Sequence, residues 1–118
     1  MACFRAIHTI ELKPETDQQE FEHFMTQEFL PEVAKLPGCL EIQLLKGYKG
    51  ELPGVAQSKA DYGWITLWES VEANNKVWSR GGEHYTPENI EEINAKLLRY
   101  ATNYILVGGF IVVGTQSG

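Results

Sequence analysis

The chain has 118 residues, the usual length of a single domain, and a chain of this size can bury a hydrophobic core without disulfide bonds. Sixteen acidic and ten basic residues give a net charge of −6, which argues against binding to nucleic acid or an anionic membrane, because phosphate recognition needs clustered Lys and Arg. A hydrophobic fraction of 43% and an aromatic fraction of 11% exclude an intrinsically disordered chain.

The first predicted element is a β-strand over residues 3–12, followed by a helix. Alternation in the strand places five side chains on one face: Phe4, Ala6, His8, Ile10 and Leu12. Thr16 and Gln19 have the spacing of a capping box at the start of the helix. The apolar residues of the helix recur at helical spacing: Phe21, Phe24, Met25, Phe29 and Val33. Pro31 is expected to kink or restart the helix, which ends at Leu36-Pro37-Gly38.

Two strands are predicted in the middle of the chain, over residues 39–48 and 62–69, joined by a loop rich in Gly and Pro. Alternation in the first of them places Leu40, Ile42 and Leu44 on one face. In the second, aromatic residues and Thr66 alternate with smaller apolar ones: Tyr62, Trp64, Thr66 and Trp68 against Gly63, Ile65 and Leu67.

Two helical segments and a strand complete the chain. Ser70 is expected to cap a helix over residues 71–79, which Gly81-Gly82 then breaks. Thr86 and Pro87 have the residue types of the cap and first position of another helix. Its apolar stripe consists of Ile90, Ile93, Leu97, Leu98 and Ala101. The last predicted strand covers residues 104–113.

This order of elements predicts an α+β fold of the ferredoxin-like, split βαβ type, with a four-stranded antiparallel sheet and helices on one face. We expect one domain over residues 1–118, with its core in 3–113 and a flexible tail over 114–118.

The last strand is apolar on both of its faces. We expect Tyr104, Leu106, Phe110 and Val112 on one face, and Ile105, Val107, Ile111 and Val113 on the other. Because the helices can cover only one face of the sheet, the other face needs a partner. We therefore expect a twofold homodimer with the two sheets packed face to face.

Motifs for metals, nucleotides and disulfides are lacking. Cys3 and Cys39 are the only cysteines, which favours a reducing, cytoplasmic location. Glu20 and His23 have the i,i+3 spacing of carboxylate–histidine metal sites, but the pair occurs once and fits a solvated helix face. The sequence contains no HExxH, no P-loop and no GxGxxG.

Beyond these patterns, the sequence resembles the dimeric α/β-barrel superfamily. Two motifs carry the resemblance, which extends from residue 3 to 113: Leu36-Pro37-Gly38 before the second strand, and Trp68-Glu69-Ser70-Val71-Glu72-Ala73 after the third. The superfamily includes antibiotic-biosynthesis monooxygenases, haem-degrading monooxygenases, and stress-responsive barrel proteins with plant polyketide cyclases among them. The resemblance implies a homodimer with a ligand site between the sheet and the helices.

The resemblance also implies roles for three residues. His8 matches the position of a catalytic histidine in the polyketide cyclases, and His84 falls within a residue of their second histidine. Trp78 falls within a residue of the tryptophan that packs on haem in the haem-degrading enzymes. His84 lies several residues before the position of the haem-ligating histidine.

The residue types allow both a chemical and a structural interpretation. Imidazole titrates near about 6.5, so His8 facing a cavity can remove a proton from a phenol or from a carbon next to a carbonyl. It equally fits a core histidine whose nitrogens bond to backbone or water. His84 and Tyr85 can contact a substrate oxygen or lie in a solvated loop. Three aromatic residues can form the wall of a ligand site or belong to the core: Trp64, Trp78 and Phe24.

The predicted function is an enzyme without a bound cofactor, a monooxygenase or a cyclase, acting on a small apolar aromatic or polyketide-like molecule. His8 and His84 are its predicted catalytic residues, and Trp78, Tyr85, Trp64 and Phe24 contact the substrate. Two alternatives remain: a haem-binding or haem-degrading monooxygenase, and a stress-associated ligand-binding module without turnover.

Overall fold

The computed structural model describes residues 2–118. The first half of the chain contains β1 (Phe4–Leu12), α1 (Gln18–Phe24), a first π-helical turn (Met25–Phe29), α2 (Leu30–Ala34) and β2 (Cys39–Lys46). The second half contains β3 (Tyr62–Trp68), α3 (Val71–Trp78), a second π-helical turn (Pro87–Glu91), α4 (Glu92–Leu98) and β4 (Ala101–Ile111). The strands form one antiparallel sheet in the order β2-β3-β1-β4. The prediction of a ferredoxin-like α+β fold is therefore confirmed.

The hydrophobic core lies between the helices and one face of the sheet, here called the inner face. Its largest cluster joins residues from β1, β3, the first helical segments and α4: Ile10, Phe21, Phe24, Met25, Phe29, Val33, Tyr62, Trp64, Ile93 and Leu97. A smaller cluster forms around Trp68, Val77 and Ile90. Trp78 packs against both clusters and so connects them.

The first helical segment begins one residue later than the capping-box prediction placed it. Asp17, not Thr16, is the N-cap, and its carboxylate accepts hydrogen bonds from the backbone N–H groups of Gln19 and Glu20. The Thr16 hydroxyl instead donates to the Tyr100 carbonyl, at 3.4 Å. Pro31 lies in the first turn of α2, just after the first π-helical turn. Phe29 and Leu30 keep helical backbone angles, so the helix continues through this turn and does not restart at Pro31.

Of the two predicted caps of the later helical segments, one makes a capping hydrogen bond and the other does not. Ser70 is the N-cap of α3, and its hydroxyl accepts from the Ala73 N–H at 3.1 Å, as predicted. Thr86 also occupies an N-cap position, before Pro87, but its side chain makes no capping hydrogen bond. The segment that follows is a π-helical turn before it becomes α4.

A register shift in β2 corrects the predicted face of Leu40. Cys39 pairs with Trp68 and Glu41 with Leu67, so Leu40 lies in a bulge and exposes 53% of its surface. Ile42 and Leu44 do face the helices, since they pair with Thr66 and Trp64. Cys39, instead of Leu40, supplies the third inward position.

A bulge in β4 corrects the predicted faces of the last strand. Ile7 pairs with Gly108 but His8 pairs with Leu106, so Val107 is the extra residue. Paired residues lie on the same face, which places Tyr104, Leu106 and Ile111 on the inner face. Phe110 pairs with Arg5 on the opposite, outer face, together with Ile105. The prediction that Phe110 shares a face with Tyr104 and Leu106 is therefore wrong.

The outer face of the sheet carries both apolar and charged residues. Ile105, Phe110 and Leu45 expose 46%, 54% and 42% of their surfaces there. Arg5 and Glu41 lie on the same face and form an ion pair at 3.7 Å. In residues 2–118, no helix has the length and apolar character needed to cross a membrane.

Candidate functional site

His8 lies near the middle of β1, on the inner face of the sheet. Its imidazole stacks on the Trp64 indole, with ring centroids 3.9 Å apart and planes 5° from parallel. The Tyr104 ring lies 5.5 Å away at 25°. Because β3 and β4 flank β1 on either side, these two partners place the imidazole between two aromatic rings.

The two partners of His8 are connected to each other. The Trp64 indole N–H donates a hydrogen bond to the Tyr104 hydroxyl oxygen, at 3.1 Å. Burial raises the pKa of Tyr104 well above its ordinary value, so the phenol stays protonated at neutral pH. The three residues are called the His8–Trp64–Tyr104 group below.

The environment of His8 favours its neutral form. Burial lowers the pKa of the imidazole to about 4, because the surrounding rings solvate the cation poorly. Nδ1 is buried and has no hydrogen-bond partner within residues 2–118. An unpartnered buried nitrogen is uncommon in a folded protein and marks a position where a ligand or water completes the bonding.

The aromatic surroundings of this group differ in part from the predicted wall. Phe29 meets Trp64 edge-on at 5.2 Å, and Trp78 lies 6.2 Å from it. Phe24 belongs to the same core cluster but packs against Phe29 and Tyr100 and makes no ring contact with Trp64. The first π-helical turn, which buries Met25 and Phe29, thus places Phe29 where the sequence analysis expected Phe24.

Tyr85 lies at the other end of the core. It is half-buried and packs against the smaller cluster, whose central residue Trp68 is fully buried. Trp68 donates its indole N–H to the Thr66 hydroxyl at 2.8 Å and meets Trp78 edge-on at 6.2 Å. Tyr85 is therefore linked to the His8–Trp64–Tyr104 group only through Trp78 and Trp68.

The structure places His84 in a groove that His8 does not line. This groove, of about 300 Å³, lies beside α3 and is lined by Pro37, Gly38, Glu69, Ser70, Glu72, Ala73, Lys76 and His84. Neither His8, Trp64 nor Trp78 lines it. The His84 backbone N–H is held by the Lys76 carbonyl at 2.9 Å. A two-histidine site with His8, or a haem site with Trp78, would need a rearrangement of the segment that follows α3.

Part of the inner face beside His8 is uncovered, along β4. Leu106 pairs with His8 on the inner face, and Ile111 lies further along the same face. These two residues expose 58% and 57% of their surfaces, so the helices leave this part of the inner face uncovered. His8 and Tyr104 are themselves half-buried, and Nδ1 of His8 is fully buried. A small molecule that reaches His8 would therefore approach it from the side of β4.

The arrangement can bind a flat ligand and accept a proton from it. A neutral imidazole can accept a proton, although a pKa of about 4 makes His8 a weaker base than an exposed histidine. Aromatic rings favour an aromatic partner. Within residues 2–118, no group of three or more His, Cys, Asp or Glu side chains is arranged to hold a metal ion. The sequence analysis missed Tyr104 as a neighbour of His8 and Phe29 as a neighbour of Trp64. The signal for Tyr104 was the alternation of the last strand, which put it on one face with Leu106.

Comparison with known proteins gives similarity in fold. No protein-family profile and no curated protein matches the sequence. SnoaB, a cofactor-independent oxygenase from Streptomyces nogalater, has 17% identity and a TM-score of 0.63, with 98% of this chain and 97% of that chain covered. The hydroxynitrile lyase from Passiflora edulis has 12% identity and a TM-score of 0.67, with 98% of each chain covered.

A third similar structure is a dimeric protein with a ferredoxin-like fold from Bacteroides fragilis. It has 12% identity and a TM-score of 0.59, with 95% of this chain and 98% of that chain covered. At these identities the comparisons establish the fold, and this fold carries different chemistries in different proteins.

Proposed function

We propose that this chain, which has the fold of the dimeric α/β-barrel superfamily, is an enzyme without a bound cofactor that acts on a small apolar aromatic or polyketide-like molecule. The observation that carries the proposal is the stacked, neutral His8 with its unpartnered Nδ1. The oxygenase of similar fold is cofactor-independent, which supports the absence of a cofactor from the proposed reaction.

In the proposed reaction His8 removes a proton from the substrate. A phenol or a carbon acid next to a carbonyl loses its proton to the imidazole, and the resulting anion reacts further. In a monooxygenase the anion gives electrons to dioxygen from solution, whereas in a cyclase it attacks a second carbonyl of the same chain. The half-buried Trp78 contacts the flat ligand, the fully buried Trp64 supports the imidazole from one side, and Leu106 lines the route of entry.

Two assays separate the two reactions. Dioxygen uptake with 1,4-dihydroxynaphthalene, above the uncatalysed rate, identifies the monooxygenase. Loss of the ultraviolet absorbance of a linear 1,3,5-triketone under argon identifies the cyclase. His8→Phe keeps a ring against Trp64 but removes the base, so we expect it to lower either rate by about 10² or more.

His23→Gln is the matched control, because His23 is exposed on α1 and lies away from the site. We expect this variant to retain the wild-type rate. A full rate in His8→Phe, with the fold intact by circular dichroism, would remove His8 from the mechanism.

A binding module without turnover is the second candidate, because aromatic rings cover His8 from two sides. Saturable quenching of tryptophan fluorescence by either compound, with no reaction in either assay, would favour this candidate over an enzyme.

The proposed active form is a homodimer joined through the outer faces of the two sheets. The exposed Ile105, Phe110 and Leu45 support this arrangement, as does the dimeric protein of similar fold.

A further inference from the structure

Tyr104 has a hydroxyl proton that the protein leaves without an acceptor. A tyrosine hydroxyl is one donor and also an acceptor, whereas the indole N–H is a donor only. The Trp64 N–H therefore occupies the acceptor side of the Tyr104 oxygen, at 3.1 Å, and directs the Tyr104 proton elsewhere. Among the hydrogen bonds within residues 2–118, none has the Tyr104 hydroxyl as donor.

The neighbouring His8 also has a polar atom without a hydrogen-bond partner. Its buried Nδ1 has no partner, and the Tyr104 ring lies 5.5 Å from its own. The Trp64 ring, which stacks on the other face of His8, offers no acceptor to a hydroxyl. An unpaired polar group in apolar surroundings costs free energy, so a ligand oxygen that accepts from the Tyr104 hydroxyl gains affinity.

We propose that the Tyr104 hydroxyl donates a hydrogen bond to a carbonyl or phenolic oxygen of the ligand whose proton His8 accepts. This inference rests on the proposed function and narrows the substrate to flat aromatic ketones and phenols. The Trp64 N–H fixes the orientation of the hydroxyl and polarises its O–H bond, which strengthens the bond to the ligand. The raised pKa of Tyr104 keeps the donor proton in place at neutral pH.

For a ketone, the step balances without another reactant. The proton on the carbon next to the carbonyl moves to the imidazole nitrogen of His8. The electron pair of that C–H bond forms the C=C bond of an enolate, and the carbonyl π electrons move onto the oxygen. Tyr104 stabilises the charge that develops on this oxygen, which is the position where a fixed donor has the greatest effect.

The test compares two ligands of nearly equal shape, 2-acetylnaphthalene and 2-isopropenylnaphthalene, in which a CH₂ group replaces the carbonyl oxygen. Only the ketone can accept a hydrogen bond. Titration calorimetry with the full chain should give the wild type about fivefold to tenfold higher affinity for the ketone, the usual effect of one hydrogen bond. Tyr104→Phe should remove this preference and leave the affinity for 2-isopropenylnaphthalene unchanged. Tyr48→Phe, at an exposed tyrosine, should behave as the wild type.

Difference infrared spectroscopy with a ¹³C-labelled carbonyl adds a readout that packing alone does not change. The carbonyl stretch of bound 2-acetylnaphthalene should lie at lower frequency in the wild type than in Tyr104→Phe. An equal loss of affinity for both ligands, with the same frequency in both proteins, would overturn the hydrogen bond. Equal wild-type affinities for the two ligands would also contradict the hydrogen bond from Tyr104, but they would still be consistent with an aromatic binding site. No binding of either ligand would overturn the proposed function as well.

Discussion

The pKa of His8 makes this residue a source of pH-dependent stability. An exposed histidine titrates near 6.5, whereas burial lowers the folded-state pKa of His8 to about 4. Between these two values the unfolded chain binds a proton that the folded chain does not. The free energy of unfolding is therefore highest above pH 6.5 and decreases as the pH falls towards 4.

We expect His8 to account for a loss of at most about 3 kcal/mol in the free energy of unfolding between pH 7.5 and pH 4. Urea denaturation at a series of pH values measures this loss, as the difference in the free energy of unfolding between the wild type and His8→Phe. His23→Gln, which alters an exposed histidine, should keep the wild-type pH dependence. Parallel curves for the wild type and His8→Phe would mean that His8 titrates normally in the folded state.

The place of His8 in its strand could be predicted from the sequence, but its low pKa could not. Alternation in the first strand placed His8 on one face with Phe4, Ala6, Ile10 and Leu12, and the structure shows that this is the inner face. The low pKa depends on Trp64 and Tyr104, which are 56 and 96 positions further along the chain. No local pattern brings these rings together, because their positions depend on strand pairing.

At the scale of single elements, the N-cap residues Ser70 and Thr86 can be compared directly. The Ser70 hydroxyl accepts a backbone N–H at the start of α3, whereas the Thr86 side chain makes no such bond. Ser70→Ala should therefore lower the free energy of unfolding by about 1 kcal/mol, and Thr86→Ala by clearly less. Thermal unfolding of both variants measures the difference. Equal costs would show that the capping bond at Ser70 does not stabilise the fold.

Irregularities within elements explain most of the incorrect predictions. Bulges at Leu40 and Val107 reverse the alternation of β2 and β4, since one extra residue moves every later side chain to the opposite face. The first π-helical turn changes which residue of the helix meets Trp64, from the expected Phe24 to Phe29. Periodicity assumes regular geometry and cannot detect such insertions.

At the scale of the whole molecule, the outer face of the sheet determines whether the chain forms the proposed homodimer. Phe110 exposes 54% of its surface on this face, near the end of the edge strand β4, while Val113, beyond the end of β4, exposes 96%. Phe110→Lys should raise the dissociation constant of the proposed dimer at least about tenfold, because it buries an unpaired charge. Val113→Lys should have a much smaller effect.

Sedimentation equilibrium from low to high micromolar concentration checks this prediction. A wild-type chain that stays monomeric over that range, with the outer face in water, would contradict the proposed homodimer. The Arg5–Glu41 ion pair crosses the same face over β3, and Arg5 pairs directly with Phe110, so the proposed contact includes this ion pair as well as the apolar residues of β4.

The sequence by itself determined the order of elements, the ferredoxin-like fold and the inward position of His8, since these follow from periodicity and from local signals such as the Ser70 cap. Only the tertiary structure decided which residues surround the imidazole. It separated His84 from His8, replaced Phe24 by Phe29 and introduced Tyr104. The physical reason is that local patterns act over a few residues, whereas a site is assembled by strand register, bulges and packing between segments distant in the chain.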